Sequence, residues 1–250
     1  MLKHHAERWN ELAASDPLWA ILSDPAARGN RWNLSDFFAT GERELAPVFA
    51  RATEIGLPQN HDSALDFGCG VGRLTRAMAS RFTRCVGVDI SPIMVGRARE
   101  LNSDQGACEF VVNSYPDLRG FPNNGFNFIY TSNVLQHLVH RDSIMNYISE
   151  FIRILAPRGL AVFQLPTRIS PLRSFHWRPN LYEFGRLLRV DPDYLLRWGL
   201  HPIRMVSVPE AEVAERVMFA GGEVRLAMST PVQQVISTVF FVSKHTMNDD

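Results

Sequence analysis

Apolar positions along the first fifty-eight residues recur at helical spacing, with Trp9, Leu12, Trp19 and Leu22 placed to share faces. Ser35 stands where a helix through Phe37, Leu45, Val48 and Phe49 would need a cap, and Gly56 and Pro58 would stop that helix. Beyond Pro58 the period changes. Short β-type runs at 63–67, 84–88, 108–112, 125–131 and 159–165 alternate with helical stretches near 72–82, 91–102 and 141–156. Ser91-Pro92 opens the second of these helices as cap and first-turn proline. Strands alternating with helical stretches predict a parallel sheet with crossover helices, an α/β fold.

From Pro166 to Pro209 the alternation breaks. This stretch holds seven arginines against three acids, together with Phe175, Trp177, Tyr182, Phe184, Tyr194 and Trp198. It reads as an inserted cap over 166–208, its charge either a solvated surface or an anion-binding face. Order returns with a helix from about Glu210 to Ala220, a Gly221-Gly222 stop, a strand near 222–228 and an apolar β run at 235–242. The chain is therefore expected to form one domain, with residues 59–165 and 209–245 as its core.

Composition narrows the class without naming a chemistry. With 250 residues, 46% hydrophobic and 21% charged, the chain can bury one sizeable core. Lys+Arg and Asp+Glu number 26 each, so no global field steers it to nucleic acid or to an anionic membrane, and any charge preference must be local. Neither a signal peptide at the start nor a run of about 18 apolar residues is present, so neither secretion nor a membrane partner is expected. Cys69, Cys85 and Cys108 lack C-x-x-C spacing, which fits a reduced, cytoplasmic setting.

The chemistry sits in Ala64-Leu65-Asp66-Phe67-Gly68-Cys69-Gly70-Val71-Gly72-Arg73-Leu74, where three alternate glycines join a strand to a helix. Such glycines permit tight turning and close backbone approach to a ligand. A second strand ends in Asp89, 21 residues after Gly68, and a carboxylate there can accept both hydroxyls of a ribose. The third glycine of a dinucleotide fingerprint would be residue 73, which is arginine. Asp66 would oppose a phosphate but suit a cationic ligand, or else tie down loop amides. An adenosine ligand without phosphates follows.

Asp66-x-Gly68-x-Gly70-x-Gly72 followed by Asp89 resembles motifs I and II of the class I S-adenosylmethionine-dependent methyltransferases. Phe126 to Leu138 is similar to that family's fourth strand and following helix, and Arg153-Ile154-Leu155-Ala156-Pro157-Arg158-Gly159-Leu160 to its approach to strand five. Asn113 replaces the usual acid near the adenine, and Arg158 stands where glycine is frequent. The resemblance implies a Rossmann-like, mostly parallel sheet with an antiparallel last strand, and a helical lid from residues 1–58 in which Trp32, Thr40 and Arg43 are candidate contacts. It implies S-adenosyl-L-methionine as cofactor, held by Asp66, the loop residues Gly68, Cys69, Gly70, Gly72 and Arg73, and by Asp89 with Ile90. Asn113, Ser114, Ser132 and Asn133 complete the implied contacts.

His137, just after the fourth strand, is the candidate acid–base residue, as general base, hydrogen bonder or simple packing histidine. His140 lies three residues on, but His-x-x-His without carboxylates or cysteines is a poor metal site, and no metal is expected. The leading reading is methyl transfer to oxygen or nitrogen of a small molecule, with an anionic acceptor suited to the arginine-rich cap. A nucleic-acid substrate is disfavoured by zero net charge and by the lack of an Asn-Pro-Pro-aromatic segment. An NAD-dependent oxidoreductase is disfavoured by Arg73 and by the lack of a Tyr-x-x-x-Lys pair, while a non-catalytic cofactor-binding module stays open.

Overall fold

The computed structural model describes residues 2–138, 140–169, 177–191, 194–195, 198, 200, 205–232 and 235–245. Three helices open the chain: α1 (Leu2–Ser15), α2 (Pro17–Ile21) and α3 (Leu34–Ile55). Asp16 caps α2 by accepting the Trp19 N–H, and its other oxygen accepts from Gly29 and Asn30, folding the segment after α2 back on itself. The cap of α3 is Asn33 rather than Ser35. Its Oδ1 accepts the Asp36 N–H at 3.1 Å, so the helix starts two residues before the expected serine could act. Gly56 ends α3 in the left-handed region at φ +75°.

The core then alternates as β1 (Ser63–Phe67), α4 (Arg73–Met78), β2 (Arg84–Asp89), α5 (Pro92–Leu101), β3 (Cys108–Val112), β4 (Phe126–Thr131), α6 (Arg141–Ile154) and β5 (Leu155–Ile169). Helices α7 (Trp177–Leu187) and α8 (Glu210–Phe219) and strands β6 (Gly222–Val232) and β7 (Val235–Lys244) complete the described elements. The seven strands lie in the order β3-β2-β1-β4-β5-β7-β6. Neighbours from β3 to β5 pair in parallel, and β7 runs antiparallel between β5 and β6. The expected Rossmann-like sheet with its antiparallel last strand is the one observed.

Strand β5 overruns its expected end at 165. Arg168 and Ile169 still pair with Ile236 and Val235, so pairing with the strand expected at 235–242, a pairing that periodicity does not reveal, carries β5 past the expected start of the cap. Helix α4 stops at Met78, earlier than expected, yet Phe82 remains buried and stacks 5.3 Å from Phe128, which is why the apolar period persists to that point. Arg158 adopts φ +59°, a conformation that glycine takes at less cost.

Strand alternation divides the sheet between two apolar layers. Leu65 and Phe67 of β1 face Ile148 and Phe151 of α6, whereas Ala64, with Phe128 and Tyr130 of β4, faces Leu45, Phe49 and Met78 of α3 and α4. No described helix is long and apolar enough to cross a membrane.

Candidate functional site

A cavity of about 370 Å³ opens at the carboxyl ends of β1, β2 and β4. Gly68, Cys69 and Gly70 border it from β1, Asp89 and Ile90 from β2, Asn113 after β3, and Ser132, Asn133 and His137 after β4. Trp9, Ala20, Ile21 and Ser23 close it from the N-terminal helices. Ligands bind at this edge in open α/β sheets because the order of crossovers reverses there and leaves a crevice.

The loop demands its glycines on two counts. Gly68 has φ +79°, and a Cβ there would lie 2.3 Å from the Val134 side chain; Gly70 has φ +54°, and its Cβ would lie 2.5 Å from Ile21 Cδ1. The loop is pinned to β2 by the Gly68 and Cys69 amides, both donating to the Val88 carbonyl at 2.7 and 3.0 Å.

Asp89 is the carboxylate of the cavity. Its Oδ2 accepts the Gly70 N–H at 2.9 Å and its Oδ1 the Ser91 N–H at 2.8 Å. Burial raises its pKa, and these amide bonds pull it back down. Each oxygen keeps a further lone pair, so the group can still accept two ribose hydroxyls.

Arg73 lines the cavity without offering it a free cation. It is 5% exposed. Its Nη2 lies 2.6 Å from Glu44 Oε2 and its Nη1 donates to Thr40 Oγ1 at 3.3 Å, both partners on α3. Tyr130 donates its hydroxyl to the other Glu44 oxygen at 3.2 Å, and burial raises that phenol above its ordinary pKa. With the guanidinium neutralised in this way and a carboxylate facing the loop, the donor set fits a phosphate-free adenosine group and not a pyrophosphate.

Asp66, Gly72 and Ser114 stand outside the cavity wall. Asp66 shares a strand face with Ala64, so its side chain turns toward α4, where Oδ2 accepts the Thr75 hydroxyl at 2.7 Å. It faces the packed interior there, and burial pushes its carboxyl up to about 7. At Gly72 a Cβ would meet the Phe110 ring at 2.6 Å, so this glycine serves packing. Asn113 reaches the cavity, but its Nδ2 donates to the Asp117 carbonyl at 2.9 Å and its Oδ1 accepts the Tyr115 N–H at 3.2 Å. Its amide shapes a turn rather than waiting for an adenine edge.

His137 ends a 3₁₀ turn, Leu135–His137, with its ring 6.0 Å from Trp9 and inclined at 61°. Its Nε2 lies 3.2 Å from Nε2 of Gln136. Asn133 takes φ +59°, and its N–H donates to Gln164 Oε1 at 2.9 Å, which holds the loop after β4 against β5.

The helices cover the cavity with residues other than those expected. Trp32 donates Nε1 to the Leu22 carbonyl at 3.2 Å and packs on Phe37, Thr40 supports Arg73, and Arg43 is exposed. The actual lid residues, Trp9 and Ile21 foremost, carry a helical apolar pattern and nothing more in sequence. Asn10 fastens α1 to the core by accepting the Ser91 hydroxyl at 2.6 Å. Of the seven arginines counted between Pro166 and Pro209, Arg173, Arg197 and Arg204 lie outside the described residues, as does the side chain of Arg178.

Residues 64–159 match the model of a methyltransferase domain family. A probable chloroplastic tocopherol O-methyltransferase of Oryza sativa subsp. japonica is 28% identical over 163 residues, 63% of this chain and 43% of that protein. A trans-aconitate 2-methyltransferase of Mycobacterium tuberculosis (strain ATCC 25177 / H37Ra) is 28% identical over 210 residues, 82% of this chain and 72% of the relative. The chain thus spans less than half the length of the rice relative. In fold it is similar to magnesium protoporphyrin IX methyltransferase from Synechocystis PCC 6803, crystallised with bound S-adenosylhomocysteine, at a TM-score of 0.62 and 18% identity over 97% of this chain and 99% of that one.

Proposed function

This chain carries a class I S-adenosylmethionine-dependent methyltransferase domain, and on that premise we propose that it methylates oxygen or nitrogen of a small-molecule acceptor. The carrying observation is that Asp89 and His137 line one cavity, closed from above by Trp9 and Ile21. When bound, the cofactor supplies an activated methyl carbon. The protein is left with alignment, exclusion of water and, for a hydroxyl acceptor, removal of one proton.

Asp89 would hold the ribose hydroxyls, with Ile90 and the backbone at Asn113 beside the adenosine and the Gly68–Gly70 backbone along the amino-acid portion. Trp9 and Ile21 keep water out. His137 would take the acceptor's proton at Nε2, exchanging the Gln136 N–H that it accepts in this structure for the acceptor's hydroxyl, with Trp9 against its ring. The rice relative is named for methylation on oxygen, which favours oxygen over nitrogen here. Specificity then belongs to what covers the strand ends, the helices of residues 1–58 and the cap. Three free thiols suit a cytoplasmic setting.

Calorimetry with S-adenosylhomocysteine and with NAD tests the cofactor, and an isotopically labelled methyl donor offered with phenols, carboxylic acids and amines tests the acceptor. Micromolar binding of S-adenosylhomocysteine and transfer to an oxygen acceptor is the expected result. Tight NAD binding instead would overturn it, and cofactor binding with no transfer to any class would leave a binding module.

A further inference from the structure

Helix α7 carries its apolar stripe on the outside. Leu181, Phe184 and Leu188 stand at i, i+3 and i+7, and with Leu187 they share one face, all four exposed and Leu187 at 78%. The side that seats inward is the one with buried Tyr182 and with Gly185, where a Cβ would lie 2.7 Å from Leu195 Cδ2. Farther on, Tyr194 and Trp198 pair with ring centres 5.9 Å apart, Trp198 being 71% exposed. Of the fourteen large apolar side chains exposed among the described residues, six lie between 181 and 198, so the exposure is concentrated and not scattered.

Charge identifies what this face fits. Arg186 and Arg189 are exposed beside the stripe, and the stretch from Pro166 to Pro209 carries seven arginines against three acids. A helix with leucine and phenylalanine on one face and arginine on another, neighboured by exposed tyrosine and tryptophan, has the composition of an interfacial membrane helix. A second copy of the chain is a poorer occupant. A two-fold contact through this face would bring Arg186 and Arg189 of one copy against those of the other.

We propose that α7 and the Tyr194–Trp198 pair dock this protein on an anionic lipid surface, the apolar stripe entering the headgroup boundary and the arginines meeting lipid phosphates. Zero net charge and the lack of a spanning run led to the expectation of no membrane partner, and neither bears on a local patch of this kind. Arg186 also approaches Glu11 of α1 at 3.8 Å, which places the docking face next to the helix that carries Trp9 into the cavity.

Co-sedimentation with phosphatidylcholine vesicles, with and without phosphatidylglycerol, tests this directly. The full chain is expected to pellet with the anionic vesicles and to be released by salt. The combined variant Phe184→Ser, Leu187→Ser and Leu188→Ser should bind about tenfold or more weakly. These side chains are exposed, so circular dichroism and melting temperature should not change. Wild type left in the supernatant with both vesicle types, equal binding without anionic lipid, or an unaffected triple variant would each overturn the proposal. So would light scattering that shows a dimer which the triple variant splits. Loss of S-adenosylhomocysteine binding with pelleting intact would count against the proposed function alone.

Discussion

Arg73, the first residue of α4 after the glycine loop, lies 2.6 Å from Glu44 of α3, a partner 29 positions earlier in the chain. The pair joins the N-terminal helices to the loop that borders the cavity. Gly41, one turn before Glu44, permits this approach, since a Cβ there would lie 2.6 Å from the Arg73 carbonyl oxygen.

Glu44→Ala should therefore strand a buried guanidinium. Glu44 keeps some solvent contact, so the cost is expected near 2–3 kcal/mol, below that of breaking a fully buried pair. Glu44→Gln, which keeps one acceptor oxygen for Arg73 and can donate its amide N–H to the Tyr130 hydroxyl oxygen, should lose about half as much. Urea unfolding of the three proteins measures this, and equal stability of Glu44→Ala and wild type would remove the pair from any structural role.

Asp66 gives stability a pH dependence. Burial lifts its carboxyl from the ordinary 3.8 to about 7, so the folded chain holds a proton that the unfolded chain releases across that interval. The contribution is fully present below pH 3.8 and is lost as pH rises through about 7. Asp66→Asn stays neutral and still accepts the Thr75 hydroxyl, so its stability should fall less between pH 4 and 8, by up to about 4 kcal/mol. Asp89, raised in the same direction, should leave a residual slope in the variant. Superimposable slopes for variant and wild type would show that Asp66 is ionised in the fold.

Asp89→Ala removes two ribose acceptors and also the partner of the Gly70 and Ser91 amides. Affinity for S-adenosylhomocysteine should drop tenfold or more, about 1.5–3 kcal/mol. Asp89→Asn, which keeps one acceptor oxygen, should fall between. Calorimetry showing wild-type affinity in the alanine variant would place the ribose elsewhere.

For His137 the discriminating quantity is the ratio of turnover to cofactor affinity. If it accepts a hydroxyl proton, His137→Ala should lower kcat by about 10²–10⁴-fold while S-adenosylhomocysteine binds nearly as before. A loss under about tenfold would assign the ring to packing against Trp9. Parallel losses in binding and turnover would make it a cofactor contact.

Local chemistry made much of this protein readable before any coordinates. Alternating β-type and helical periods determined β1 to β4 almost to the residue, because each strand signal lies within its own few positions. The glycines at 68 and 70, and Asp89 at the end of β2, were legible for the same reason: backbone conformation and a strand-end carboxylate are properties of short segments. The lid was legible only as helices, and which of their side chains reach the cavity was not. Trp9 and Ile21 took that place, Thr40 became a support for Arg73, and Asn113 spent its amide on a turn. Asp66 shows the limit most directly, since the motif marks it as a ligand contact while strand alternation turns it onto Thr75. Asn113 and Asp66 find their partners within nine positions, but the tertiary structure decided the rest because the partners lie far away in the chain, Glu44 for Arg73, Val235 for the end of β5, Ile21 for Gly70. Periodicity fixes which way a side chain points from its own element, and only packing fixes what it meets there.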